Sequence, residues 1–234
     1  MSKVVLKPHI VACTSPEEWA AMAANVIGSA VSAVISRRGV CNVMLTGGNT
    51  AERLYNYWAR SSTLPMEQMC FLFGDERCVP PDHADSNFSL VMRTLFAKGV
   101  PPGCTIIRLE AETFDRDAAA RKYEELLPNE IDILLLGMGV DGHIASLPPC
   151  SAALLSTDRT VLPVMGTNWL YERLTITPQV IVNAGTVFLL AMGEEKGRVL
   201  AEALRSPEDF MSLPVRLTLG GTWLLDDAAA YQIR

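Results

Sequence analysis

Short apolar runs alternate with helical patterns along nearly the whole 234-residue chain, and this alternation limits the possible folds. The runs are continuously apolar rather than alternating with polar residues, which is typical of strands that are buried on both faces. Such runs predict strands at 40–45, 69–73, 104–109, 131–136 and 186–191, and 159–164 is a further candidate.

Helical spacing fills the intervals between these strands. Residues 15–18 (SPEE) predict a capping box with Pro16 at the first helical position, which opens a helix that ends near Gly39. Further helices are predicted near 50–58, 85–95, 119–127 and 194–204. We therefore expect an α/β fold in which a mostly parallel sheet lies in the middle of three layers. No composition shift marks a linker, so residues 1–234 are expected to form a single domain.

Composition narrows the class of protein. Hydrophobic residues make up 49% and charged residues 20% of the chain, which excludes disordered and fibrous classes. No apolar run approaches the 18 residues of a membrane span, and residues 1–15 have no signal-peptide pattern. The six cysteines lack C-x-x-C spacing and the three histidines lack metal-ligand spacing. We expect a reduced, cytoplasmic protein without a metal.

The formal net charge is −6, so no overall basic field attracts nucleic acid or an anionic membrane. A site for an anion must therefore be built locally. In open parallel sheets such sites lie beyond the carboxyl ends of the strands, where loops and helix N-termini converge. Four loops are predicted at that edge, and they are 46–50, 74–77, 137–143 and 193–196.

Two of these loops suit an anion. Residues 46–50 (TGGNT) combine glycines with side-chain donors at a helix start, which favours a phosphate, although a tight turn with Asn49 or Thr50 as N-cap is the alternative. Lys196 is predicted in the first turn of a helix, where a cation is unfavourable unless an anion or Glu194 and Glu195 compensate it. In the loop at 74–77, Glu76 and Arg77 are also compatible with a surface ion pair.

Gly137, Gly139 and Gly142 match the G-x-G-x-x-G pattern of dinucleotide sites, but Pro148 and Pro149 follow too soon for the required helix. We interpret the glycines as part of a loop that exposes Asp141 and His143. A carboxylate two residues from an imidazole can orient it or stabilise its charged form, which makes His143 a candidate catalytic residue.

Six segments of the chain form a characteristic set when they are taken together. They are 45–50 (LTGGNT), 74–80 (GDERCVP), 85–87 (DSN), 136–147 (LGMGVDGHIASL), 173–175 (RLT) and 193–196 (GEEK). This set resembles the 6-phosphogluconolactonase family, and the resemblance extends from about residue 40 to the C-terminus. The family's glycine turn usually reads GGSTP where this chain has Asn49 and Ala51, and Pro148 stands where the family usually has Phe.

The resemblance implies a modified Rossmann-like fold shared with glucosamine-6-phosphate deaminase. It also implies hydrolysis of 6-phospho-D-glucono-1,5-lactone in the pentose phosphate pathway, without metal or organic cofactor. The catalytic residues would be His143, as the general base, and Asp141. The substrate-binding residues would be Gly47, Gly48, Asn49, Thr50, Asp75, Arg77, Arg173 and Lys196. A small phosphosugar lactone is the expected partner, and a monomer or weak homodimer is the expected assembly.

Two other functions fit the same pattern. The first is the aldose-ketose isomerase and deaminase chemistry of the related fold, for which residues 146–149 (SLPP) lack the expected Glu. The second is a non-catalytic sugar-phosphate sensor, for which the N-terminal segment is too short and too weakly basic to supply a helix-turn-helix. Both points favour hydrolysis.

Overall fold

The structure is a computed structural model that describes residues 6–166, 169–205 and 209–234. The prediction that residues 1–15 lack a signal peptide falls partly on residues 1–5, which lie outside the described residues. The strands are β1 His9–Ala12, β2 Cys41–Leu45, β3 Met69–Phe73, β4 Asp75–Arg77, β5 Thr105–Ile106, β6 Ile133–Gly137, β7 Val161–Val164, β8 Arg173–Ile176, β9 Thr186–Ala191 and β10 Thr222–Leu225. The α-helices are α1 Trp19–Arg38, α2 Asn49–Ser61, α3 Asn87–Arg93, α4 Arg116–Leu126, α5 Pro178–Asn183, α6 Glu194–Arg205 and α7 Asp227–Tyr231.

Seven strands form the central sheet, in the order β1-β10-β9-β6-β2-β3-β5. Every neighbouring pair in it is parallel. A second, separate sheet consists of three antiparallel strands in the order β4-β8-β7. The prediction of an α/β fold with a mostly parallel sheet is confirmed.

Both faces of the central sheet are buried, as the continuous apolar runs predicted. Within β2, Val43 and Leu45 belong to one apolar core and Met44 to the other, because successive strand residues point to opposite faces. Side chains of α1 to α4 pack in the first core and those of α5 to α7 in the second. This arrangement is the predicted three-layer architecture.

Helix α1 is long and apolar enough to cross a membrane by length and composition, with a mean hydropathy of 1.5 over 18 residues. Here its apolar side chains serve the core: Trp19 and Ile27 are fully buried. The indole Nε1 of Trp19 donates a hydrogen bond of 3.1 Å to the carbonyl of Leu224 in β10. The helix is therefore a covering layer of the sheet.

Three local expectations need correction. The capping box at residues 15–18 does not form, because the Glu18 amide bonds the Ser15 carbonyl in a turn and α1 begins at Trp19. The strand expected at 104–109 shortens to Thr105–Ile106, since β5 is an edge strand with two register partners on β3. The loop expected at 74–77 contains β4, which pairs with the distant β8.

Candidate active site

One crevice at the carboxyl edge of the central sheet collects nearly all of the predicted site residues. All four predicted loops reach it, and Asp141 lies against His143. The predicted residues that line the crevice are Gly47, Gly48, Asn49, Thr50, Asp75, Arg77, His143, Arg173 and Lys196.

A buried tyrosine in α2 holds the backbone of the loop that connects β2 to α2. The Tyr55 hydroxyl donates to the Thr46 carbonyl at 2.7 Å and accepts from the Thr46 amide at 3.1 Å. Gly48 is the N-cap of α2 and no side chain caps this helix, so the alternative of Asn49 or Thr50 as N-cap is wrong. Both side chains line the crevice instead, beside the free amides of the helix start.

The imidazole of His143 is held by a carboxylate. Its Nδ1 lies 2.6 Å from Asp141 Oδ1, and the backbone amide of His143 donates to the same oxygen at 3.2 Å. A carboxylate only accepts, so Nδ1 carries the proton in the neutral ring and Nε2 carries the lone pair. The His143 side chain is 23% exposed, which allows water to reach it.

Gly139 leaves the room that this pair needs. A Cβ at this position would lie 2.3 Å from His143 Cε1 and 2.5 Å from Asp141 Oδ1. The Gly139 amide also donates to the His143 carbonyl at 3.0 Å. The glycines at 137–142 therefore belong to the loop that carries Asp141 and His143, and no helix follows them before the short 3-10 turn at Ala152–Leu155, as predicted.

The two arginines come from the small sheet. Arg77 of β4 and Arg173 of β8 are register partners across the antiparallel pair, so their side chains leave the same face. The Nε atoms of both are buried without a hydrogen-bond partner among the described residues. Burial, together with the nearby Arg77 charge, lowers the pKa of Arg173. Two adjacent cations with unused donors form a site that suits an anion.

A buried polar network anchors Arg173. The Ser146 hydroxyl donates to Asp75 Oδ2 at 2.6 Å and accepts from Arg173 Nη1 at 3.3 Å. The other oxygen of Asp75 accepts from Asn87 Nδ2 at 3.1 Å. Asp75 is 4% exposed and Ser146 fully buried, so Asp75 orients its neighbours while one edge of it faces the crevice.

Glu76 has a structural role. Its carboxylate accepts from the backbone amides of Asn87 and Phe88 and from the Ser86 hydroxyl, which holds the start of α3. Burial raises the pKa of Glu76, and the hydrogen bonds from the backbone amides oppose this change. The surface ion pair with Arg77 is wrong, because Glu76 is 3% exposed and Arg77 instead donates to the Asp85 carbonyl at 2.6 Å.

Lys196 lines the crevice at the start of α6. Burial lowers its pKa, and the nearby Asp226 charge opposes that change. Glu194 pairs with Arg198 rather than with Lys196. Within the described ranges Lys196 has no ion pair and no hydrogen-bond partner for its amine, so its charge is open to the crevice.

Several site residues carry no sequence-based assignment. Tyr55, Asn87, Ser146 and Trp169 act through side-chain contacts that form only on folding, and no local pattern reveals those contacts. Asn87 and Ser146 stand in the segments that resemble a known family, which is the one signal that singles them out. Among the residues that the structure describes, no group of three His, Cys, Asp or Glu side chains is arranged to hold a metal, and all six cysteines are free.

Fold and site together define a class: a three-layer α/β protein with a cationic crevice and an imidazole–carboxylate pair at the carboxyl edge of its parallel sheet. The model of the glucosamine-6-phosphate isomerase/6-phosphogluconolactonase family matches residues 14–224. The chain belongs to this family, as the resemblance predicted.

Individual relatives agree with this assignment. A 6-phosphogluconolactonase of Synechocystis sp. is 32% identical over 87% of this chain and 89% of its own. The solved 6-phosphogluconolactonase of Trypanosoma brucei superimposes with a TM-score of 0.83 at 26% identity, covering 98% of this chain and 100% of that one. A monomeric glucosamine-6-phosphate deaminase has a TM-score of 0.81 at 20% identity, covering 97% and 100%, which shows the shared fold.

Proposed function

We propose that this chain hydrolyses 6-phospho-D-glucono-1,5-lactone to 6-phospho-D-gluconate, the lactonase step of the oxidative pentose phosphate pathway. The observation that carries the proposal is the placement of the His143–Asp141 pair and three cations in one crevice. The family and its 6-phosphogluconolactonase relatives support the same reaction.

His143 acts as the general base. In its neutral form, Nε2 removes a proton from a water molecule as the water oxygen attacks C1 of the lactone. Asp141 accepts from Nδ1 and stabilises the imidazolium that forms, and base catalysis of this kind contributes about 10² to 10⁴-fold. The protonated ring then donates its proton to the departing ring oxygen, which completes the opening of the lactone and regenerates neutral His143.

The cations hold the phosphate. Arg77, Arg173 and Lys196 provide the local positive charge that the net charge of −6 lacks, and the loop of Gly47, Gly48, Asn49 and Thr50 adds amide and side-chain donors. Asp75 faces the same crevice and orients Arg173 through Ser146. Each charge-assisted bond contributes roughly 1.5 to 3 kcal/mol. No metal or organic cofactor is required for this chemistry, because a lactone carbonyl is already electrophilic.

The compartment, assembly and partners of the protein form the second part of the proposal. We propose that residues 1–234 act as one domain in the cytoplasm, as a monomer or weak homodimer, and that neither nucleic acid nor membrane is a partner. The free thiols of all six cysteines fit a reducing compartment.

A direct assay tests the reaction. Freshly prepared 6-phosphogluconolactone is offered to the protein, and 6-phosphogluconate is measured by its coupled oxidation, corrected for spontaneous opening. We expect a rate that is proportional to protein concentration. Ammonia release from glucosamine 6-phosphate would instead support the deaminase alternative, and tight binding of 6-phosphogluconate without turnover would support the sensor.

A further inference from the structure

Trp169 contacts both halves of the candidate site. The guanidinium carbon of Arg173 lies over its ring at 3.9 Å from the centroid. The imidazole of His143 meets the same indole in an edge-to-face contact, with ring centroids 5.8 Å apart and planes at 70°. One side chain from the connection between β7 and β8 thus touches the proposed base and a proposed phosphate ligand.

The contact with Arg173 leaves its donors free. A guanidinium that stacks on an aromatic ring uses its face, whereas its N–H groups lie in the plane. Ser146 occupies one of those donors, and Nε has no partner among the described residues. Because Arg173 lines the crevice, the indole holds the guanidinium by its face while the N–H groups that Ser146 does not occupy can bond an anion there.

The contact with His143 restrains the other flank of the imidazole. Asp141 fixes the Nδ1 side of the ring, and the indole limits its rotation from a second direction. Gly166 leaves the room that the indole occupies, because a Cβ there would lie 2.5 Å from Trp169 Cδ2. The Trp169 amide also donates to the Gly166 carbonyl at 3.2 Å.

We propose that Trp169 is a positioning residue that orients Arg173 and His143 together and so sets the placement of the phosphate relative to the base. This inference rests on the proposed function, since it assigns Trp169 to the same phosphosugar site. An aromatic face is essential to it, because an aliphatic side chain of similar bulk offers the guanidinium no π-face.

The experiment compares three variants with the wild-type protein in the lactonase assay and in equilibrium binding of 6-phosphogluconate. Trp169→Leu keeps apolar bulk without a π-face, and we expect KM and the Kd of 6-phosphogluconate to rise roughly 2- to 30-fold. Trp169→Phe keeps the face and should stay within about 3-fold of wild type. Gly166→Ala retains the indole but displaces it, and should move Kd in the same direction as Trp169→Leu.

Intrinsic tryptophan fluorescence provides a second measurement, because a purely structural role of Trp169 predicts no fluorescence change when 6-phosphogluconate binds. The other tryptophans, Trp19, Trp58 and Trp223, are at most 1% exposed, so a change on titration with 6-phosphogluconate reports on Trp169. We expect that change in the wild-type protein and not in Trp169→Phe. Leu170→Ala is the matched control, because Leu170 is an adjacent apolar residue that is 80% exposed, and its Kd should equal that of wild type.

The outcomes separate the two proposals. A wild-type protein that neither opens the lactone nor binds 6-phosphogluconate overturns the proposed function and this inference with it. An active wild type with unchanged Kd in Trp169→Leu, or equal losses in Trp169→Leu and Trp169→Phe, overturns the role of Trp169 and leaves the lactonase reaction standing. Thermal unfolding of each variant verifies that it is folded under the conditions of the assays.

Discussion

The seven-stranded sheet and the three-stranded sheet supply different chemistry to the crevice. Loops that follow strands of the large sheet provide the glycine turn at 46–50, the His143–Asp141 pair and Lys196. The small sheet provides Arg77 and Arg173, which its antiparallel register places opposite each other. Apolar burial on both faces fixes the large sheet, whereas Ser146 and Asp75 tie the small sheet to the loop after His143.

This division predicts different kinetic signatures. Changes in the loop at 137–143 should act on kcat, because that loop holds the proposed base. Changes in the small sheet should act on binding, because it holds two of the proposed phosphate ligands. Mutations in either region test whether the two roles are separate.

The largest effect is expected for His143→Ala. Without the imidazole no group takes the proton from water, so kcat should fall by at least about 100-fold, while the Kd of 6-phosphogluconate stays within a few-fold of wild type. The measurement is lactone opening above the spontaneous rate, together with calorimetric binding. His9→Ala is the control, since His9 is exposed on the edge strand β1. Near-normal turnover would remove His143 as the base.

The next largest effect is expected for Gly139→Ala. The added methyl group would overlap His143 Cε1 and Asp141 Oδ1, and a displacement of about 1 Å can reduce a rate on the order of 100-fold. We expect kcat to fall with little change in Kd. Gly28→Ala adds the same methyl group to α1 with nothing within 4 Å, so its activity should be unchanged. Equal kcat values for the two variants would show that the imidazole needs no such space.

The strands of the two sheets differ in how far the sequence alone predicts them. Strands β2, β3, β6 and β9 are recognisable because long apolar runs record burial on both faces, and their loops follow directly from the strand ends. Strand β4 is not recognisable, since Asp75, Glu76 and Arg77 owe their extended form to pairing with β8, about a hundred residues away. Edge strand β1 leaves no signal for a related reason, because its residues are mostly exposed.

The candidate site divides in the same way. His143, Asp141 and the glycine turn lie in local patterns that chemistry can interpret. Arg173 was assigned through the family resemblance alone, and Trp169 was not assigned, because its role depends on two side chains that the chain brings together only on folding. Periodicity records burial, but it does not record contacts between distant loops.

Arg173→Ala tests the small sheet. Loss of a charge-assisted phosphate contact should raise the Kd of 6-phosphogluconate roughly 10- to 100-fold, with a smaller effect on kcat. Arg173→Lys should recover only part of the affinity, because an ammonium group lacks the planar fork of donors. Arg205→Ala, at the exposed end of α6, is the control for loss of one positive charge. An unchanged Kd for Arg173→Ala would remove Arg173 from the phosphate site.

The smallest effect concerns Lys196, which lies in α6 directly after strand β9 of the large sheet but should act on binding. Burial lowers its pKa, so the unfolded chain holds this proton more tightly and stability rises with pH through the interval between the folded and unfolded pKa. Below that interval the charged Lys196 destabilises the fold. Because Lys196 is only partly buried, we expect this penalty, and the change in Tm that corresponds to it, to be small.

Lys196→Met should therefore raise Tm by that small amount while it weakens binding of 6-phosphogluconate. In the wild-type protein binding should also weaken as the pH rises through the lowered pKa of Lys196, and Lys196→Arg should move that loss to higher pH. Lys98→Met, at an exposed position, controls for the loss of one lysine and should change neither quantity. A lower Tm with unchanged Kd in Lys196→Met would mean that Lys196 stabilises α6 rather than the bound phosphate.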